Sequence, residues 1–184
     1  MLKLKLDDKD LKKIEELYKK TPSIAEKILN SALRKAINYV TNEEKEHIEE
    51  TYTPDKDLLG AKGLKKQVKN GEAILLASTK RNQLNKFDSS SKSPERLRNQ
   101  HIQVGIKRGN KTEMRTLFWA FYKNAGKRFS LGLFFRNRSE GKKDITPART
   151  VSIMQMTTSI SKEQEEKLQE IFTKELIKKL NKEM

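Results

Sequence analysis

The chain has 184 residues, with 40 Lys and Arg against 25 Asp and Glu, a formal net charge of +15, and only 34% hydrophobic residues. It contains no apolar run of the roughly 18 residues that a membrane-spanning helix needs, no apolar core in Met1–Asp7, and no cysteine. The sequence thus predicts no spanning helix, no secretory leader, no disulfide and no thiolate chemistry, and reads as a cytosolic, basic domain with or without a helical arm.

The positive charge is unevenly placed. Residues 80–149 hold 18 basic and 5 acidic side chains, whereas residues 1–79 hold 16 and 14, and residues 150–184 hold 6 and 6. Any polyanion is therefore drawn first to the middle of the chain.

Leu11, Ile14, Leu17 and Tyr18 recur at helical spacing, predicting a helix from about Asp8 to Lys20. Thr21-Pro22 then supplies a cap and a proline at the first helical position, where its missing N–H costs nothing. From Ile24 to Val40 an apolar stripe broad enough to cover a sheet or a partner subunit runs along a second helix, which continues through the acidic turn Glu43–Glu50 and stops before Pro54. Residues 58–69 are ambiguous, with Gly60 and Gly63 weakening a short helix. Asn70-Gly71 predicts a turn, and Ala73–Ala77 a buried strand. Residues 85–100, rich in Ser, Asn, Lys and Arg, predict a long basic loop.

Three strand candidates follow. Ile102, Val104 and Ile106 alternate with Gln103, Gly105 and Lys107, the period of a half-buried strand, and Gly109-Asn110 ends it. The aromatic run Thr116–Tyr122 and then Phe129–Phe135 complete an expected antiparallel meander. A short segment, Pro147–Met156, precedes a last helix opened by Ser161 and Gln164 as a capping box, with Leu168, Ile171, Phe172, Leu176 and Leu180 on one face. The expected fold class is α+β, with long N-terminal helices on a small antiparallel sheet and a C-terminal helix. Its expected divisions are 1–53 (helical), 54–156 (basic core) and 157–184 (terminal helix), within one domain overall.

No motif for catalysis stands out. His47 lies among Glu43, Glu46, Glu49 and Glu50, a conceivable metal site that reads equally well as a solvated helix end. His101 reads as a strand-edge residue. The eight glycines form no phosphate-binding loop, and Ser89, Ser90, Ser91 and Ser93 lack the Gly-x-Ser-x-Gly frame. The expectation is a non-enzymatic protein with no cofactor and no metal.

The basic middle admits two readings. Phe118, Trp119, Phe121, Tyr122, Phe129, Phe134 and Phe135 interleave with Arg115, Lys123, Lys127, Arg128, Arg136 and Arg138. Aromatics beside cations can stack bases and track phosphates, but the same aromatics are also the main supply of core for this region.

The order of elements resembles the minor tail protein Z family of long-tailed bacteriophages and prophages. The carriers are the helix centred on Ala32-Leu33, the element Leu84-Asn85-Lys86-Phe87, and the strands with Gly105 and Phe118–Tyr122. They continue with Phe134-Phe135-Arg136, similar to the family's Phe-x-Arg, and with the closing block Ala148–Met156, where Met154 replaces a frequent proline. The resemblance implies a structural virion protein at the head-proximal end of the tail, present in the host cytoplasm during assembly. It implies a homo-oligomer, expected as a hexameric ring. Its expected partners are the tail tube or tail terminator, the head-connector proteins and packaged DNA, with no membrane.

On this reading Arg96, Arg98, Lys127, Arg128, Arg136, Arg138, Lys142 and Lys143 are expected to face DNA or a partner. Ile24, Ile28, Leu29, Leu33, Ile37, Val151, Ile153, Met154 and Met156 are expected to pack between subunits. The alternative is a basic nucleic-acid-binding protein that uses the aromatic and Arg/Lys-rich sheet.

Overall fold

The computed structural model describes residues 8–69, 71–90, 101–123, 129–136, 145–158 and 160–183. The fold is α+β: long N-terminal helices, small antiparallel sheets and a C-terminal helix. It divides into two compact units rather than one. The first holds the chain to Lys45, residues 64–76 and residues from Thr158 onward; the second holds residues 46–63 and 77–157. Most of the two terminal regions, expected as separate divisions of one domain, belongs to one unit, together with a hairpin drawn from the middle of the chain.

In the first unit, α1 (Asp8–Lys20) and α2 (Pro22–Thr51, ending in the second unit) meet at Thr21. The Thr21 amide donates to the Leu17 carbonyl at 2.7 Å, which closes α1, while the Thr21 carbonyl accepts from the Ile24 and Ala25 amides that open α2. This one residue serves both helix ends. The strands β1 (Leu64–Lys69) and β2 (Glu72–Ala77) form a two-stranded sheet, turned by Gly71 at φ +73°, a left-handed conformation that favours glycine. Residues 64–69 are therefore a strand rather than a short helix. The Ala73–Ala77 strand exists but is not buried, with Ile74 41% and Leu76 48% exposed.

The last helix of the unit, Lys162–Glu183, opens with the expected capping box. The Ser161 amide donates to Gln164 Oε1 at 2.9 Å and the Gln164 amide to Ser161 Oγ at 3.2 Å. Its face of Leu168, Phe172, Leu176 and Leu180 is buried against Leu17 and against Ala25, Ile28, Ala32, Leu33 and Ala36 of α2. At the rim, Lys35 Nζ and Glu175 Oε2 form an ion pair at 3.3 Å.

This corrects the expected subunit contact. Ile28, Leu33 and Ile37 are buried, and Ile24 and Leu29 pack against the same core. The stripe on α2 is covered by the chain's own C-terminal helix. A 3.6-residue period states how wide an apolar face is, and says nothing about what lies on it.

The second unit is built on strands. Arg108 anchors the end of α2 there: its amide donates to the Thr51 carbonyl at 2.9 Å and its guanidinium to the Glu49 carbonyl through Nη2 at 2.6 Å. A cation on the last carbonyls of a helix satisfies acceptors the helix leaves open. Residues 51–55 then run as a strap. The Thr53 amide donates to the Ile106 carbonyl, and the Asp55 amide to the Lys86 carbonyl at 2.7 Å.

A short 3-10 turn at Lys56–Leu59 leads to the next elements: β3 (Arg81–Gln83), a turn at Leu84–Lys86, and β4 (Asp88–Ser89). β5 (Ile102–Gly105) and β6 (Lys111–Met114) join β4 in one antiparallel sheet. β7 (Leu117–Lys123), β8 (Phe129–Arg136) and β9 (Ile145–Pro147) make another.

The expected meander is thus corrected. The Ile102 strand pairs with β6, which the sequence reading did not single out, and not with the aromatic strand. Finally β10 (Arg149–Ser152) pairs with β3 and runs into the single turn α3 (Ile153–Met156). The C-terminal Lys162–Glu183 helix is α4.

Candidate functional site

The aromatic hairpin is the feature of the basic region that the structure describes most fully. β7 and β8 pair in continuous register, with Phe118 opposite Phe134, Trp119 opposite Leu133 and Phe121 opposite Leu131. Alternation sends Phe118, Tyr122 and Phe134 to one face and Leu117, Trp119, Phe121, Leu131 and Leu133 to the other. On the first face the rings form a cluster. Tyr122 and Phe134 meet edge-on at 5.6 Å between centroids, and Phe118 and Phe134 lie tilted at 6.4 Å. Tyr122 Oη hydrogen-bonds the Gln83 side chain at 3.2 Å, tying the hairpin to β3.

The second face grades from buried to open. Leu117 and Leu133 are buried, Trp119 is half-buried, and Phe121 is 70% exposed. Trp119 Nε1 is out of contact with solvent and has no hydrogen-bond partner among the described residues. Core packing therefore accounts for Phe118, Tyr122 and Phe134, and it accounts for Trp119 in part. Among the described rings the most exposed is Phe121, which sequence reasoning names with the other aromatics without setting it apart. Alternation along Leu117–Tyr122 assigns Phe121 to a face but does not state where that face ends.

The cations fall into two groups. Three of those described in the middle of the chain meet the chain's own acids. Lys111 Nζ lies 2.8 Å from Asp88 Oδ2, Lys86 Nζ lies 3.6 Å from Asp55 Oδ2, and Arg115 Nε lies 3.5 Å from Glu113 Oε1, which also meets His101 at 3.8 Å. Lys80, Arg81 and Arg149 are exposed near β3 and β10. The other group is the expected contact set. Arg96, Arg98, Lys127, Arg128, Arg138, Lys142 and Lys143 lie outside the described residues, and of Arg136 only the backbone is described, in β8 opposite Ile145 of β9. The structure does not bring these eight side chains together or separate them.

The closing block of the sequence lies in the interior of this unit. Ala148 accepts from the Leu84 amide and donates to the Leu133 carbonyl, both at 2.9 Å, and so links the Leu84 turn to the aromatic hairpin. Asn82 Nδ2 donates to the Val151 carbonyl at 2.9 Å, and the Met154 amide donates to the Ser78 carbonyl at 3.0 Å. Ser152 and Gln155 form a reciprocal cap on α3.

Ile153 and Met156 are each 1% exposed, and Val151 is half-buried. These three were expected between subunits and instead hold the unit together. Met154, at 57% exposure, is the residue of that group that the block presents outward.

Around His47 the structure gives a helix end. Glu46, Glu49, Glu50 and Arg108 line a shallow depression there, and among the described residues no three His, Asp or Glu side chains are placed to hold a metal ion. No described helix is long and apolar enough to cross a membrane. Comparison of the chain with protein-family models, with curated proteins and with solved structures gives no match.

Proposed function

We propose that the chain is a non-enzymatic structural subunit that completes the head-proximal end of a long phage tail and helps it join the filled head. The observation that carries this reading is where the resembling residues sit. Leu84, Phe87, Phe134, Ala148, Ile153 and Met156 come from three separate stretches of sequence, all are at most 6% exposed, and all lie in one compact unit. Motifs that pack into a common interior specify a fold, and this supports reading the resemblance as one of architecture. A virion subunit of this kind works by shape and contact, and the residues 80–149, with their excess of thirteen positive charges, supply the attraction to an anionic partner. The test is to interrupt the reading frame in the phage or prophage genome that encodes the chain and score head–tail joining.

One observation favours the alternative of nucleic-acid binding, namely Phe121 held 70% exposed on a rigid hairpin. That reading predicts an affinity for single-stranded DNA that falls steeply with salt, because phosphate contacts release counterions. Phe121→Ala should then weaken binding by about 1–3 kcal/mol while the melting temperature stays unchanged. Equal retention of DNA by wild type and Phe121→Ala removes the stacking role.

A further inference from the structure

We infer that the outer edge of β2 pairs antiparallel with β2 of a second copy of this chain, with the two-fold axis at Leu75. The inference rests on β2, which lies in the first unit as far as Leu76 and enters the second at Ala77, and it holds whether or not the chain completes tails.

The sheet of β1 and β2 has two strands, and among the described residues no third strand pairs with either edge. Its two edges differ in chemistry. β1 carries Lys65, Lys66 and Lys69, all exposed, and edge lysines discourage further pairing because a docking strand would have to desolvate them. β2 carries no charge between Ala73 and Ala77 and no proline, and its Ile74 and Leu76 are 41% and 48% exposed. An unguarded apolar edge is a template for another strand.

The size pattern of that strand selects the occupant. Ala73-Ile74-Leu75-Leu76-Ala77 reads small, large, large, large, small in either direction. Turned about Leu75, the strand places Ala73 opposite Ala77 of the copy, Ile74 opposite Leu76, and Leu75 opposite itself. Every apolar residue then meets one of its own size class, and both Glu72 side chains fall beyond the paired run.

Beside β2 lies a groove of about 640 Å³ floored by Leu33, Ala36, Ile37 and Val40 and flanked by Ile160 and Leu168. Leu75 lines that groove together with Ala73 and Ile74, so the copy's Leu75, set opposite it, extends the groove's apolar wall. Closure about a two-fold axis leaves a four-stranded sheet with Lys-bearing β1 strands at both outer edges, and pairing stops there.

The test uses the purified full-length chain after nuclease digestion, with native mass measured across a concentration series. The expected result is a dimer. Leu76→Lys removes two symmetry-related cross-strand pairs and raises the dissociation constant by about tenfold or more. At dilutions where both proteins are monomeric its melting temperature should match wild type, because dimerisation itself raises stability by mass action, and Leu11→Lys, an exposed apolar position on α1, should leave the dimer intact.

A second measurement does not depend on that variant folding. The chain has no cysteine, so Leu75→Cys under mild oxidation should form a disulfide-linked dimer, while Leu11→Cys should not. A monomer at all concentrations overturns the inference. So does a dimer unaffected by Leu76→Lys, or a dimer in which Leu75→Cys does not cross-link. None of these outcomes bears on head–tail joining, which the genome test scores separately.

Discussion

Phe172→Ala is expected to lower the stability of the first unit by about 3–5 kcal/mol, read as a fall in the urea midpoint with the slope unchanged. Phe172 is 3% exposed and sits in the middle of the α4 face that covers α2. Its removal loses the transfer free energy of the ring and leaves a cavity between two helices whose neighbouring contacts, Leu168 and Leu176, hold them at the original spacing. α4 has Lys and Glu over most of its remaining surface, so its docking depends on that one face. Leu11→Ala, on the exposed side of α1, is the control and should change stability by about 0.5 kcal/mol or less. A Phe172→Ala midpoint equal to wild type would mean that α4 does not cover the stripe in solution.

Gly63→Ala should have the second-largest effect, about 2–4 kcal/mol, and for a different reason. A Cβ at Gly63 would stand 1.8 Å from the Leu58 carbonyl oxygen and 3.0 Å from the Leu58 carbonyl carbon. Both are main-chain atoms, so no rotamer change relieves the clash. The backbone cannot step aside cheaply, because the Gly63 amide donates to the Gly60 carbonyl at 2.9 Å and its carbonyl accepts from the Ser78 amide at 2.8 Å. Gly71→Ala makes a useful contrast. There the Cβ has room, and the cost is the left-handed φ of +73°, about 1–2 kcal/mol. Thermal melts of the two variants should therefore rank Gly63→Ala below Gly71→Ala, and the reverse order would mean that the Leu58–Gly63 turn opens in solution.

Local signals reported local structure faithfully. The Thr21-Pro22 junction, the turn at Gly71, the alternation from Ile102 and the Ser161–Gln164 box each depend on residues within a few positions, and each element occurs where those residues place it. Partner choice is a different matter. The stripe at Ile24–Val40 states that something apolar covers it, and about 130 residues separate it from the α4 face that does. The strand from Ile102 was expected beside the aromatic strand because the two are close in sequence. β6 (Lys111–Met114), whose Lys-Thr-Glu-Met has little apolar signal, takes that place through backbone hydrogen bonds alone.

Residues 64–69 are ambiguous in the sequence for a related reason. Leu-Lys-Lys-Gln-Val-Lys is a good helix composition, but the Asn70-Gly71 turn and the burial of Leu64 favour a hairpin.

The candidate site was legible only in outline. Sequence placed aromatics and cations in the same stretch, and the hairpin confirms that the aromatics share two faces of one sheet. What separates core from presented surface is the position of a sheet end, which put Phe134 inside and Phe121 outside. The closing block reversed its expected role for the same reason. Val151, Ile153, Met154 and Met156 look alike as apolar residues, and only the one-turn helix capped by Ser152 and Gln155 sends Ile153 and Met156 inward and Met154 outward.

The most direct measurement of the central claim is an electron-microscopic count of joined and unjoined particles from the encoding phage with its reading frame interrupted, with and without the chain supplied in trans. The account predicts filled heads and separate tails in the interrupted genome, and restored joined particles when the chain is supplied. Normally joined, infectious particles in the absence of the chain would contradict it.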